Sequence, residues 1–178
     1  KTVQVRSKKQ VDHINFNAHF KVVKKEINPF DFELPSDLEA EQAHLNSLEF
    51  KVDHEPYLRK TDFTTLPEQH RSYFEFDRSI SIFENLTHLN HWTFEHLYFK
   101  TGVTDVNTPL SEIIEKRHGV CQDFTHLFCA IAKYNGVPCR YVSGYLHQGH
   151  GFFGDSQMHA WAEALVPNVG WIGFDPTN

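Results

Sequence analysis

The sequence predicts an α+β fold in which helices are followed by an antiparallel sheet. Two segments, one after Pro109 and one over residues 120–135, have apolar residues at helical spacing. Three shorter segments with strand character come next, at 139–146, 159–166 and 171–174. Because the helices precede consecutive strands instead of alternating with them, neighbouring strands are expected to run in opposite directions.

The chain of 178 residues fits one domain, or one domain with part of a second. Residues 1–78 open with loosely alternating apolar side chains and continue into a charged stretch with a short helix around 37–48. Period-2 alternation is typical of half-buried strands, so this part is predicted to be a small β-rich N-terminal region. Residues 79–178 are predicted to form a separate core.

Start and stop signals bound the predicted helices. Largely helical spacing runs through 79–99. Thr108 followed by Pro109 predicts the start of the next helix, and Gly119 predicts its end. The last helix ends at Gly136. Its buried stripe consists of Phe124, Leu127, Phe128 and Ile131.

Composition and charge argue against several classes of protein. Hydrophobic residues make up 40% of the chain, which is enough for a packed core and too many for a disordered chain. A formal net charge of -6 without a long basic run argues against a nucleic-acid partner. No apolar stretch approaches the roughly 20 residues that span a bilayer, so no membrane association is expected. None of these figures bears on the oligomeric state.

The three cysteines are expected to be free thiols. Cys121 and Cys129 are separated by about 12 Å along the axis of the predicted helix, which exceeds the reach of a disulfide. Together with Cys139 they form no C-x-x-C pair. Free thiols favour a reducing compartment, so a cytoplasmic location is expected. The chain begins with Lys1 rather than Met, so a trimmed or processed N-terminus is an expectation.

Cys121 has the sequence surroundings of a nucleophile. A thiol attacks as the thiolate, and free cysteine has a pKa of about 8.5, so a nucleophilic cysteine needs its anion stabilised. Cys121 follows Gly119-Val120 at the predicted start of a helix, where unpaired N–H groups and the macrodipole favour negative charge. It also belongs to the helix face predicted to pack on the sheet. Cys129 and Cys139 have no such context and are interpreted as small buried hydrophobes.

Two residues on consecutive strands are candidates to assist Cys121. His159 opens one strand, and Asp175 closes the next. If these strands form an antiparallel hairpin through Pro167–Gly170, the start of one lies beside the end of the other. His159 and Asp175 then become cross-strand neighbours. A carboxylate that orients an imidazole beside a thiol completes a Cys-His-Asp constellation for nucleophilic catalysis.

At these residues the chain resembles the transglutaminase-like superfamily, and within it the bacterial cysteine-protease-like branch. The resemblance covers residues 79–178 and depends on four motifs in the same order, which chance would rarely produce together. The motifs are Asn107-Thr108-Pro109 with Arg117-His118-Gly119-Val120-Cys121-Gln122-Asp123-Phe124, Gly136-Val137-Pro138-Cys139-Arg140-Tyr141-Val142-Ser143-Gly144-Tyr145, His159-Ala160-Trp161-Ala162-Glu163, and Gly170-Trp171-Ile172-Gly173-Phe174-Asp175-Pro176-Thr177.

The resemblance implies a papain-related core in which the cysteine helix packs on an antiparallel sheet. It implies Cys121 as nucleophile, His159 as base and Asp175 as the residue that orients the base. The implied reaction is hydrolysis of a peptide or protein amide through a thioester, with no cofactor. A protein-crosslinking transglutaminase is one alternative, and a non-enzymatic binding module on the same fold is another. Domains of this family usually continue beyond the last motif, so the core is expected to be truncated at its C-terminal end.

Other residues are candidates for the substrate site. Gln122 is interpreted as an oxyanion donor or as a solvent-facing residue, and Trp161 as a cleft aromatic or as a core residue. The segment His147–Met158 is predicted to be a mobile flap whose Phe152 and Phe153 contact substrate; a packed loop with both rings buried is the alternative. The 13 histidines form no zinc-binding motif, so no metal site is expected.

Overall fold

The computed structural model describes residues 6, 8–17, 23, 28, 31–145 and 158–178. The chain divides into two compact units, Lys1–Phe30 and Asp31–Asn178. In the first unit, none of the described residues lies in a helix or a strand, and Ile14 and Phe16 are exposed. Most of the positions that predict strands in this unit lie outside the described residues.

The second unit opens with short helices. Asp37 Oδ1 accepts the N–H of Ala40 at 2.9 Å, and Ser47 Oγ accepts the N–H of Phe50 at 3.2 Å, so a polar side chain caps each of the first two helices. The β-rich character predicted for 1–78 is therefore not found in 31–78, all of which the structure describes. The elements are α1 (Leu38–Asn46), α2 (Leu48–Asp53), α3 (Glu55–Leu58) and a 3-10 helix (Glu68–His70).

Helix α4 (Ile82–His96) begins with a reciprocal cap between Ser81 and Glu84. It ends earlier than the helical spacing through residue 99 predicts. The chain continues as β1 (Tyr98–Phe99), which pairs in parallel with β2 (His118–Gly119). The N–H of Tyr98 donates to a carbonyl just before β2 at 2.8 Å, so pairing with that strand replaces another helical turn.

Helix α5 (Leu110–Lys116) starts one residue later than predicted, with Pro109 at the N-cap position. Thr108 caps a turn instead, because its hydroxyl oxygen accepts the N–H of Asp105 at 2.8 Å. The prediction that Gly119 ends this helix is wrong. The helix ends at Lys116, its C-cap residue Arg117 has a left-handed φ of 53°, and Gly119 belongs to β2.

Helix α6 (Cys121–Tyr134) precedes three strands, β3 (Cys139–Tyr145), β4 (Met158–Val166) and β5 (Gly170–Phe174). The strand order is β3-β4-β5, and both pairs are antiparallel, as predicted. The turn between β4 and β5 uses left-handed backbone at Asn168 (φ 62°), which closes the predicted hairpin.

Helix α6 covers one face of this sheet. Ala160, Ala162 and Ala164 of β4 are buried on that face, and their small side chains allow close approach of the helix. Phe128 of α6 stacks on Phe174 of β5 with ring centroids 5.4 Å apart. The other face of β4 carries the side chains that alternate with these alanines, namely His159, Trp161, Glu163 and Leu165.

The hydrophobic core joins α4, α5, α6 and the alanine face of the sheet. Leu86 and Leu89 of α4 and Leu127 and Phe128 of α6 are fully buried in it. Among the described residues no helix is both long and apolar enough to cross a membrane. The core thus packs α6 against the strands that carry the candidate catalytic residues.

Candidate active site

Cys121 is the first residue of α6 and is half-buried. The N–H groups at the start of a helix have no carbonyl partner within it, and the aligned peptide dipoles add partial positive charge there. The Thr125 hydroxyl donates to the carbonyl of Cys121 at 2.8 Å, which supports the first helical turn. The thiol therefore lies at the end of the helix that favours an anion.

The start of α6 lies near the end of the sheet at which β4 begins. Further along the helix, the Cys129 sulfur lies 3.4 Å from that of Cys139 at the start of β3. Later on β3, the Tyr141 ring lies 5.1 Å, centroid to centroid, from the ring of His126, which is earlier on α6. Helix and strand therefore run in opposite directions. Because β3 then continues to its pairing with the beginning of β4, Cys121 and His159 occupy the same end of the sheet.

A hydrogen bond joins His159, near the start of β4, to Asp175, directly after β5. Nε2 of the imidazole and Oδ2 of the carboxylate are 2.8 Å apart. Since an ionised carboxylate only accepts, the proton of the neutral ring is assigned to Nε2, which leaves the lone pair on Nδ1. The side chains are 15% and 28% exposed. The cross-strand contact predicted from the hairpin is confirmed.

Asp175 is held by the residues that follow it. The Thr177 hydroxyl donates to Oδ1 at 2.5 Å, and Asn178 Nδ2 donates to Oδ2 at 2.6 Å. Burial raises the pKa of Asp175, but the hydrogen bonds from Thr177, Asn178 and His159 outweigh burial and leave the pKa below its usual value. Asp175 is therefore ionised at neutral pH and keeps the imidazole oriented.

No hydrogen bond joins Cys121 to His159 within the described part of the chain. The structure brings His159 and Asp175 into contact and puts Cys121 at the same end of the sheet. General-base catalysis requires the imidazole to come within hydrogen-bond distance of the thiol. Such contacts are often long before substrate binds and shorten in the substrate complex.

The family model of the transglutaminase-like superfamily matches residues 76–176. This range contains Cys121, His159 and Asp175 and spans more than half of the chain. The chain belongs to the transglutaminase-like superfamily. The resemblance drawn from the sequence motifs is confirmed.

Relatives of this superfamily member are longer proteins. An uncharacterised protein of Mycobacterium leprae is 37% identical over 91 residues, which make up 49% of this chain and 32% of that protein. A protein-glutamine gamma-glutamyltransferase of Pseudomonas aeruginosa is 28% identical over 98 residues, which make up 52% of this chain and 14% of that enzyme. The chain spans about a third or less of the length of these two relatives.

Two solved structures share the fold. A candidate cysteine protease of Cytophaga hutchinsonii superposes with a TM-score of 0.61 at 26% identity, over 71% of this chain and 42% of that one. The periplasmic domain of TgpA from Pseudomonas aeruginosa superposes with a TM-score of 0.55 at 19% identity, over 70% of this chain and 46% of that one. The predicted transglutaminase-like α+β fold is confirmed.

Gln122 and Trp161, the predicted substrate-binding residues within the described ranges, have protein neighbours. Gln122 Nε2 donates to the carbonyl of Asp105 at 2.9 Å. The Trp161 ring lies 6.4 Å from the His159 ring, centroid to centroid. It also covers Gly144, where an added Cβ would lie 2.6 Å from the indole. Trp161 is therefore beside the candidate base, and the substrate contacts of both residues stay predictions.

Phe152 and Phe153 lie outside the described residues, as does the predicted flap up to Met158. Met158 itself begins β4. In the ranges that the structure describes, no group of three or more His, Cys, Asp or Glu side chains is placed to hold a metal ion.

The other two thiols are packed into the core. Cys129 and Cys139 are each 1% exposed, and their sulfurs are in contact. Burial raises the pKa of Cys139 well above its usual range, and the contact with Cys129 raises it further. Both thiols are therefore expected to be unreactive, as the sequence context predicts.

Sequence reasoning missed the surroundings of Asp123, the third residue of α6. Its carboxylate is buried and accepts hydrogen bonds from the Val120 N–H and the Thr104 hydroxyl, at 2.7 and 2.6 Å. The position of an acidic residue in the first helical turn was the available signal, and it predicts only an interaction with the helix dipole. Thr104 comes from the loop before α5, whose path no local pattern predicts.

Proposed function

We propose that this superfamily member is a cysteine-nucleophile amide hydrolase that works through a thioester acyl-enzyme. The observation that carries the proposal is the His159–Asp175 hydrogen bond at the end of the sheet where α6 presents Cys121. The family match and the fold shared with a candidate cysteine protease support the same reaction class.

In the acylation step, His159 Nδ1 accepts the proton of the Cys121 thiol. The thiolate attacks the carbonyl carbon of an amide, and a C–S bond forms. The imidazolium then gives its proton to the leaving nitrogen, the C–N bond breaks, and the amine departs. Asp175 accepts from Nε2 throughout and stabilises the charged ring.

In the deacylation step, His159 accepts a proton from water, and the resulting hydroxide attacks the thioester carbonyl. The C–S bond breaks, a carboxylic acid leaves, and the Cys121 sulfur regains its proton from the imidazolium. The negative oxygen of each tetrahedral intermediate needs hydrogen-bond donors. The backbone N–H of Cys121 is the proposed donor, because the first N–H of a helix has no partner within it.

A second imidazole near the nucleophile, His126, is less suited to act as the base. Burial lowers the pKa of His126, and the Asp123 charge offsets only part of that effect. The ring contacts Phe63 and Tyr141, with centroid distances of 5.2 and 5.1 Å. No carboxylate hydrogen bond orients it among the described residues, whereas His159 donates to Asp175.

Transamidation is the second candidate function. The protein-glutamine gamma-glutamyltransferase of Pseudomonas aeruginosa, 28% identical over 98 residues, favours it. The two reactions share the thioester and differ only in the nucleophile that releases the acyl group. With an amine in place of water, the carbonyl carbon forms a new C–N bond and a new amide is released.

One assay separates these candidates. Wild-type protein is incubated with labelled casein in the presence and absence of a fluorescent primary amine, and Cys121→Ala serves as the inactive control. Release of casein fragments that needs Cys121 supports hydrolysis, whereas covalent capture of the amine supports transamidation. If the wild type gives neither product, and mass spectrometry finds no acyl group on Cys121, both enzymatic proposals are rejected in favour of a binding module.

A further inference from the structure

The start of α6 contains a buried side chain that the proposed mechanism does not use. Asp123 is 1% exposed. Its Oδ2 accepts the N–H of Val120 at 2.7 Å and the hydroxyl of Thr104 at 2.6 Å. A buried carboxylate is costly unless donors satisfy it, and short bonds to an ionised acceptor are the strong ones. The carboxylate therefore ties the first turn of α6 to the loop that contains Thr104.

Comparison with α4 shows why α6 needs this tie. In α4 the Ser81 hydroxyl accepts the N–H of Glu84 at 3.2 Å, and the Glu84 carboxylate accepts the N–H of Ser81 at 2.9 Å. Val120 occupies the N-cap position of α6, and its side chain has no acceptor. Asp123 therefore supplies the side-chain cap of α6 alone, and the hydroxyl that donates to it comes from Thr104 instead of the cap residue.

The packing around this carboxylate leaves it little freedom. A Cβ at Gly119 would lie 2.6 Å from the Cβ of Asp123, so residue 119 has to be glycine for the side chain to fit. Gln122 Nε2 donates to the carbonyl of Asp105 at 2.9 Å, which makes a second link to the same loop. The candidate nucleophile lies within this anchored turn.

We propose that Asp123 is a positioning residue for Cys121. Through Val120 and Thr104 it fixes the first turn of α6, and with that turn the place of the thiol beside the unpaired N–H groups. The inference depends on the proposed role of Cys121 as nucleophile. An error in placing a nucleophile by about 1 Å is enough to lower turnover on the order of 100-fold.

The charge of Asp123 and its anchoring have opposite effects on a thiolate. A nearby carboxylate disfavours the thiolate by repulsion, whereas N–H groups held in place favour it. His126 on α6 and Tyr141 on β3 are also titratable and lie close enough to Asp123 to feel its charge. Asp123→Asn removes the charge but keeps an oxygen that can accept both hydrogen bonds. Asp123→Ala removes the charge and the accepting oxygen together. The difference between these two neutral variants therefore measures the anchoring.

The experiment measures the rate at which iodoacetamide alkylates Cys121 as a function of pH, by mass spectrometry of the full chain. The midpoint of the pH profile should lie about half to one pH unit higher in Asp123→Ala than in Asp123→Asn. Thr104→Val removes one of the two hydrogen bonds to Asp123 and keeps nearly the same side-chain shape. Its alkylation midpoint should therefore rise above that of the wild type, by less than the difference between the two Asp123 variants. Turnover of the amide substrate should fall more in Asp123→Ala than in Asp123→Asn.

Glu84→Ala is the matched control, because the Glu84 carboxylate also accepts one N–H and one hydroxyl at the start of a helix. It should lower the melting temperature and leave the alkylation midpoint unchanged. Equal midpoints for the two Asp123 variants would overturn the inference. If Asp123→Ala fails to fold, an unchanged midpoint in Thr104→Val overturns it instead. Absence of amide turnover in the wild type rejects the proposed function, yet the alkylation test still decides this inference.

Discussion

The first turn and the middle of α6 place the same side chain in opposite surroundings. Cys121 is the first residue of the helix, half-buried, beside N–H groups that have no helical partner. Cys129, two turns later, is 1% exposed and touches the sulfur of Cys139. One thiol lies at a helix N-terminus with partial exposure, and the other lies in closed packing. We therefore expect position on the helix, and not residue type, to determine which thiol reacts.

The two regions also differ in what holds them. The middle of α6 is held by apolar packing, such as the stack of Phe128 on Phe174. The first turn is held by hydrogen bonds that the buried carboxylate of Asp123 accepts. Apolar packing is non-directional and determines stability, whereas hydrogen bonds fix direction and so determine where a reacting atom lies. Substitutions in the two regions should therefore separate activity from stability.

The largest effect is expected for Cys121→Ala. Loss of the nucleophile should lower amide turnover by at least about 10⁴-fold, while the melting temperature should stay close to that of the wild type because the side chain is small and half-buried. Turnover and thermal unfolding of the same preparation check this. Retention of turnover would mean that the first turn of α6 is not the reactive end.

His159→Ala should lower turnover on the order of 10³-fold, because a positioned base typically contributes about 10²- to 10⁴-fold. Asp175→Asn should lose less, since an amide oxygen can still accept from Nε2. Steady-state kinetics of both variants test this order of turnover, and Cys121→Ala gives the background rate. A loss in Asp175→Asn that equals the loss in His159→Ala would show that the charge, and not the orientation, is what Asp175 supplies.

Phe128→Ala addresses the middle of the helix. The ring is fully buried against Phe174, so its removal should cost about 3–5 kcal/mol of unfolding free energy. The fraction that remains folded should keep its alkylation preference for Cys121. Denaturant unfolding combined with peptide mapping measures both quantities. Unchanged stability would contradict the claim that apolar packing holds this part of α6.

The smallest expected effect is the loss of the stability contribution of Asp175 at low pH. The pKa of Asp175 is lowered in the folded state, so its contribution to stability is complete above its unfolded value of 3.8. That contribution is lost as the pH falls through the lower folded pKa. The difference in unfolding free energy between wild type and Asp175→Asn should therefore shrink as the pH drops below 3.8. A gap that stays constant with pH would contradict a lowered pKa of Asp175 in the folded state.

The parts of the fold that local pattern or hairpin geometry dictates could be predicted from sequence. The bounds of α6 were predicted within one residue at each end, since its apolar stripe and Gly136 mark them. The contact between His159 and Asp175 followed from antiparallel pairing across a short turn. Those residues are close in the topology of the chain, so no knowledge of distant loops was needed.

Features that depend on tertiary structure could not be predicted. The contact between Thr104 and Asp123 crosses 19 positions and depends on the path of a loop. Arg117 caps α5 in a left-handed conformation that glycine adopts most readily, so the sequence predicts the stop at Gly119 instead. Helix α1 matches the short helix predicted around 37–48, but α2 and α3 were not predicted. Helix α2 starts at a single polar cap, Ser47, and α3 has no side-chain cap, so neither has a strong local signal.

Alkylation selectivity tests the central claim most directly. Iodoacetamide is added to the folded protein at about pH 6, where ordinary thiols are almost entirely protonated, and the modified residues are mapped by mass spectrometry. We predict a single carbamidomethyl group on Cys121, formed well before any on Cys129 or Cys139, and slower modification in His159→Ala. Equal slow labelling of all three thiols, unchanged by His159→Ala, would contradict the account.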